Sequence, residues 1–341
     1  MHARIVAVLL ASAIAGFAAG TLWQAHSYRI ILPPPARPVV AASRKETDDT
    51  DASRLPAFDA ELVMYDQPRL LDKALAKIEP QRPGVIDLYV IAFAGDGGED
   101  VFRNEAEYTR SLFSRRFDAN GHVLVLENNP ATVANTPLAT LTNLTWALDA
   151  IAAKMDPSQD VLLLYLTSHG SADHQLLVDL DPLPLDPIDP TDLADALDTD
   201  PPLRWKVVVV NACFSGGFID ALRSPTTMLI TSARSDRSSF GCGFDSDITW
   251  FGKAFLLDAL NRSNSLPAAF QQAKTLVAKW EQRDHEMPSE PQFASAPAID
   301  AQLRRWSRQL VRRPSISFAP ANALHSHRRT NDADPGRSAH R

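Results

Sequence analysis

Two stretches of this chain carry an apolar run straight into a residue able to do chemistry. LLLYLTSHG (162–170) ends on His169 and Gly170, and VVVVNACFSGGF (207–218) runs into Cys213. A thiolate is a strong nucleophile, and a neighbouring imidazole can favour it or protonate a leaving amine. Gly170 leaves the N–H after the histidine unobstructed, and together with the N–H of Cys213 it supplies two donors for an oxyanion. Gly216 and Gly217 let the chain turn sharply with no side chain over the sulfur. Alone, Cys213 reads as a small buried hydrophobe and His169 as a hydrogen-bonded strand-end residue. Together, with glycines after each and a separation of 44 residues, they read as a catalytic pair.

Such a pair works only if the fold brings it together. VIDLYVIAF (85–93), HVLVLEN (122–128), DVLLLYLTS (160–168), WKVVVVNA (205–212) and TMLITSA (227–233) read as strands. Between them, 103–117, 141–155, 191–198 with Thr191 as N-cap, FIDALR and 248–262 read as helices, and LPAAFQQAKTLVAKWEQR closes the unit. Residues 57–83 are also helical in pattern and read as packing on the sheet edge. Strands apolar on both faces and separated by helices imply an α/β three-layer sandwich, a mainly parallel sheet covered by helices on both faces. The ligand crevice of such a sheet lies at the carboxyl ends of its strands, where His169 and Cys213 both stand. The helix opened by FSGGF would favour the thiolate through its N-terminal amides.

The whole chain sets the bounds. At 341 residues and 45% apolar composition it can bury a sizeable core. Lysine plus arginine count 34 against 41 for aspartate plus glutamate, a net charge of -7, which gives no electrostatic reason to expect nucleic acid. The basic stretch LRRWSRQLVRRP is local. Cys213 and Cys242 are too few for a disulfide scaffold, and a bridge between them would remove the thiol chemistry. Arg4 precedes an uncharged apolar run over 5–23, so residues 1–28 read as a signal peptide or an uncleaved signal anchor. Either places the remainder across a membrane, tethered facing the periplasm or exterior, or secreted. Residues 29–55 read as a Pro-, Ser- and charge-rich linker, 56–311 as the folded domain and 312–341 as a disordered tail.

TSHG with NACFSG resembles the histidine and cysteine boxes of the legumain-like cysteine peptidases, the C13 family, which share the caspase-type α/β fold. Their spacing is also close to the roughly 50 residues separating the same pair in caspases. ITSARSDRSSFGC (230–242) resembles that family's segment ending in Ser-Ser-aromatic-small-Cys, and FRNEAEYTRSLF (102–113) resembles its helix opening with a specificity arginine. The likeness runs in one order over about residues 84–295. It implies peptide cleavage after asparagine through a thioester on Cys213, with His169 as general acid and base, a peptide or protein substrate, and no metal or organic cofactor. A transamidase resolving the same thioester with an amine, or an inactive peptide-binding module of the same fold, are the alternatives. By resemblance the asparagine pocket uses Arg103 as donor, Ser238 as either and Asp247 as acceptor. That near-neutral set suits a carboxamide, whereas aspartate would call for surplus cations and a basic side chain for surplus carboxylates.

The sequence departs from the family in two places. Asn211 stands where plant and animal members carry an acid two before the cysteine, and Val101 stands where an asparagine supports the histidine. Cys242 reads as structural beneath the specificity loop, or else as a redox clamp on Cys213. GDGGED (95–100) reads as a rim of the site, since it lacks phosphate-loop spacing and its acids would repel phosphate. His169, Asp173 and His174 make only a weak metal signal with no further ligand box. The Asp- and Pro-rich stretch 179–193 reads as an irregular wall beside the cleft. NLT at 143 and NRS at 261 match the glycosylation sequon.

Overall fold

The computed structural model describes residues 58–243 and 245–320. The chain divides into Met1–Ser53, which lies outside those residues, and Arg54–Arg341, which holds everything below. The expected signal or anchor segment and the linker therefore lie outside the described residues. Among the described residues, no helix is long and apolar enough to cross a membrane.

In chain order the domain runs α1 (Ala60–Leu75), β1 (Leu88–Ala94), α2 (Asp100–Arg116), β2 (Val123–Glu127), α3 (Leu141–Ala152), β3 (Val161–Thr167), α4 (Pro190–Ala196) and β4 (Trp205–Asn211). A 3-10 turn over Ser215–Gly217 leads to α5 (Phe218–Leu222) and β5 (Thr227–Thr231). Then come α6 (Trp250–Gly252) with its π-helical continuation Lys253–Leu260, α7 (Leu266–Asp284), β6 (Gln292–Ala294) and α8 (Pro297–Gln309). The sheet has six strands in the order β2-β1-β3-β4-β5-β6. The pairings from β2 to β5 are parallel, and β6 runs antiparallel at the edge.

Each strand splits its apolar residues between two cores with a period of two. Val90, Leu163, Tyr165, Val207 and Val209 face the side covered by α2, the π-helix, α7 and α8. Tyr89, Ile91, Leu162, Leu164, Val208 and Val210 face the side covered by α1, α3, α4 and α5. This is the expected three-layer sandwich. A fully buried Leu or Val contributes roughly 1.5–3 kcal/mol, so the central strands, shielded on both faces, are the most strongly held part of the sheet.

Several local expectations change. The helix expected at 248–262 winds as α for one turn and then as π, because apolar periodicity alone does not distinguish the two. The cap of α4 is Asp189, which forms a reciprocal capping box with Asp192 and leaves Pro190 at the first turn, so Thr191 lies inside the helix. The first part of the basic stretch near the end belongs to α8, which buries Ile299, Leu303 and Trp306 and turns Arg304, Arg305 and Arg308 outward, while Arg312 and Arg313 follow the helix. Residues 312–320 depart from the expected disordered tail. Ile316 is buried, its carbonyl accepts from Tyr108 Oη (3.1 Å) and Asn261 Nδ2 (2.7 Å), and its N–H donates to Asn261 Oδ1 (2.7 Å). Both sequons sit on buried asparagines, Asn143 and Asn261, committed to internal hydrogen bonds and closed to a glycan.

Candidate active site

The chain runs from β1 outward to β2 and then returns to place β3 on the other side of β1, so the topological switch lies between β1 and β3. The crevice at the carboxyl ends is lined by residues following β1, β3 and β4. Thr167 is paired with Asn211 in the β3–β4 register, so His169 and Cys213 follow two residues beyond the same rung. The Ser168 N–H donates to the Asn211 carbonyl at 3.3 Å, continuing the pairing past the strand ends. A Cβ added to Gly170 would lie 2.1 Å from the Cys213 carbonyl oxygen, which explains why that position has no side chain. The structure thus sets His169, Gly170 and Cys213 side by side at the ends of two paired strands.

The environment of the sulfur differs from the expected one. The helix after Cys213 is one 3-10 turn followed by the five-residue α5, and the Phe214 N–H is already donated to the Arg237 carbonyl at 2.7 Å. Little of a helix dipole reaches the thiol. Its amide donor is instead the Ser239 N–H, 3.3 Å from Sγ, from the loop after β5. Phe214 holds φ 57, the left-handed region that costs a bulky side chain energy, directly after Cys213. Among the described residues, no partner takes the N–H of Gly170 or of Cys213. Those are the two donors an oxyanion needs.

His169 is half-buried, with Nε2 3.2 Å from Glu99 Oε2 and the Phe102 ring edge-on at 5.1 Å. Its pKa is raised to about 9. The Cys242 sulfur, as hydrogen-bond partner, is the largest cause; burial opposes it, and the charges of Cys242, Glu99 and Asp96 add to it. Burial in turn pushes the Glu99 carboxyl up while the imidazole draws it down. Val101, in place of the expected supporting asparagine, is buried in an apolar cluster, and Glu99 does the supporting from the N-cap of α2. Both thiols are free, and Cys242 packs on that same cluster beside the imidazole.

Asp96, Glu99 and His169 have ligand atoms within 4.8 Å of one another, a set able to hold a divalent cation. Of the weak signal in HGSADH only His169 joins this set: a Cβ at Gly217 would fall 2.2 Å from the His174 ring, so His174 packs there instead. GDGGED forms the rim, tied to the irregular segment through Gly97 N–H to the Asp179 carbonyl and Asp179 N–H to the Gly95 carbonyl, each 2.9 Å.

The three pocket residues do not behave alike. Ser238 and Asp247 lie at least partly exposed on the loop after β5, Ser238 adjoining the residue that touches Sγ. The Asp247 carbonyl is held by Asn104 Nδ2 at 3.0 Å. Arg103 is 3% exposed, its Nη1 donating to Asn129 Oδ1 at 3.0 Å with Asp100 at 3.8 Å. It would have to turn from Asn129 to meet a substrate.

Residues 149–296 match the Peptidase C13 family, a span that holds His169, Gly170, Cys213, Ser238 and Asp247 but not Arg103 or Glu99. The resemblance to the legumain-like cysteine peptidases is shown over that span. No curated protein matches the chain. Among solved structures it is similar to the crystal structure of caspase-1 from Spodoptera frugiperda, at 14% identity and a TM-score of 0.43, covering 64% of this chain and 88% of that one.

Proposed function

We propose that this chain is a cysteine endopeptidase that cleaves after asparagine. The observation that carries the chemistry is the placement of His169–Gly170 against Cys213 at the ends of two paired parallel strands. The Cys213 thiolate, steadied by the Ser239 N–H, adds to the scissile carbonyl carbon while the N–H groups of Gly170 and Cys213 receive the developing oxyanion. The C–N bond breaks as the imidazolium of His169 protonates the leaving amine, which leaves a thioester. Neutral His169 then takes a proton from water, the hydroxide adds to the thioester, and the carboxylic acid departs as Cys213 returns to thiolate beside imidazolium. Glu99 keeps the ring oriented and favours its charged form. In this proposal Ser238 and Asp247 read the asparagine carboxamide, and Arg103 joins them by rotating from Asn129.

Short fluorogenic peptides ending in Asn, Asp, Arg or Lys, offered to the wild type and to Cys213→Ala under reducing conditions, test both halves. Cleavage after Asn that disappears in the variant is expected. Turnover after a basic or acidic residue keeps the nucleophile and overturns the pocket. An added amine captured in the product would reassign the reaction as transamidation.

A further inference from the structure

Beneath the catalytic pair lies a carboxylate that the reaction above does not use. Glu105, on α2, is 0% exposed, yet it sits among donors from three other elements. Its Oε2 accepts from Tyr165 Oη (3.1 Å) and Thr167 Oγ1 (2.8 Å) on β3 and from Asn211 Nδ2 (2.8 Å) on β4. Its Oε1 accepts from the Thr249 N–H (2.9 Å) and the Thr249 hydroxyl at the cap of α6. The directions of these bonds can be counted. Thr249 Oγ1 receives Asn211 Nδ2 and the Gly252 N–H, each at 2.9 Å, so its own hydrogen must go to Glu105. Both Asn211 amide hydrogens are then spent, one on Glu105 and one on Thr249. Gly252 is the other side of the fit, since a Cβ there would lie 2.1 Å from Glu105 Oε1.

We infer that Glu105 is a positioning residue for the catalytic pair, the acceptor that locks the ends of β3 and β4 and the Thr249 cap into one register. Thr167 and Asn211 each stand two residues before a catalytic side chain, so the carboxylate sets the spacing of His169 and Cys213 without touching substrate. The same clamp fixes Thr249, two residues beyond Asp247, and neighbouring Asn104 holds the Asp247 carbonyl, which ties the loop carrying the proposed pocket to the strand ends. This role rests on the peptidase reading for its purpose, though its geometry is independent of any substrate.

The test reads Cys213 directly, by the rate of iodoacetamide labelling mapped to that cysteine by mass spectrometry, beside peptide hydrolysis and the melting temperature. Asn211→Asp sets two carboxylates against each other at a hydrogen-bond distance, so labelling should fall about 10- to 100-fold. The deficit should be smaller in mildly acidic buffer, where one carboxyl of the pair can keep a proton and donate it. Adding Glu105→Gln restores a donor facing an acceptor with polarity reversed. The oxygen of the introduced amide keeps the Thr249 N–H, and its NH₂ gives one hydrogen to the carboxylate introduced at position 211 and the other to Thr167 Oγ1, while the hydroxyls of Tyr165 and Thr249, 3.3 and 2.9 Å from Asn211 Nδ2, turn to donate to that carboxylate. The double variant should label within about threefold of wild type. Asn211→Asp labelling at the wild-type rate, or a double variant that recovers its melting temperature but not its labelling, would overturn the inference. If neither variant folds, Thr249→Val decides it: slower labelling supports the clamp, and an unchanged rate sinks it. Failure of every peptide to be cleaved while this labelling pattern holds would sink the peptidase reading and leave the positioning role standing.

Discussion

His169 is an imidazolium in neutral solution because the acceptors around it outweigh the cost of burial. With its pKa near 9 rather than the ordinary 6.5, kcat/KM should show a basic limb near 9 as the proton needed by the leaving amine is lost. Glu99→Gln removes one of the charges that hold the proton, so this limb should move to lower pH; an unmoved limb would assign it to another group. Cys242→Ser should move it in the same direction while activity persists, in contrast to Cys213→Ala, which should abolish turnover. By linkage, the stabilisation that His169 draws from its partners is complete below about 6.5 and is lost as pH rises through about 9. Glu99 was hidden in the sequence among the acids of GDGGED, and the one available hint was its place at the carboxyl end of the first strand. Glu105 left a clearer trace: an acid in the stripe formed by Val101, Phe102, Ala106, Thr109 and Leu112, all buried on α2.

Among the elements, the ends of β3 and β4 carry the closest backbone fit, at Gly170. Gly170→Ala would press a Cβ into the Cys213 carbonyl at 2.1 Å, forcing β3 and β4 apart where their spacing matters; hydrolysis should drop about 100-fold with the protein still folded. At the end of β2, Glu127 is fully buried, and its pKa is raised to about 7, chiefly by burial, with the charge of Glu107 adding to it and the Thr132 side chain opposing it only weakly. An acid with a raised folded pKa binds its proton more tightly folded than unfolded, so stability falls as pH climbs from the ordinary value of 4.5 through about 7. Glu127→Gln should therefore raise stability by up to about 3 kcal/mol in denaturant titrations at mildly alkaline pH and by little at pH about 4. An equal gain at both values would trace the effect to packing instead.

For the molecule as a whole, the domain is closed by a segment without regular structure. Residues 310–320 cross the face of α2 and the π-helix: the Arg313 carbonyl accepts from Arg116 Nη1, its guanidinium reaches Asp118, and Ile316 docks between Tyr108 and Asn261. A chain ending at residue 311 exposes Asn261 and the Tyr108 hydroxyl and loses a buried isoleucine. It should melt several degrees below one ending at 320, since about 2–4 kcal/mol of contacts are removed. Equal melting temperatures would show that this segment only rests on the surface.

The strands, the helices between them, the layered class and the position of His169 and Cys213 just past two strand ends were legible in the sequence, because each is written locally: apolar runs of strand length, helical periodicity, and a histidine and a cysteine at the ends of such runs. The tertiary structure decided what no local pattern encodes. It seated Glu99 and Cys242 on His169, gave Cys213 the amide of Ser239 in place of a helix end, buried Arg103 against Asn129, and gathered Glu105, Asn211, Thr167 and Thr249 under the site. These partners come from separate elements of the chain, and a hydrogen bond's partner depends on where strands and helices meet in space rather than on spacing along the backbone.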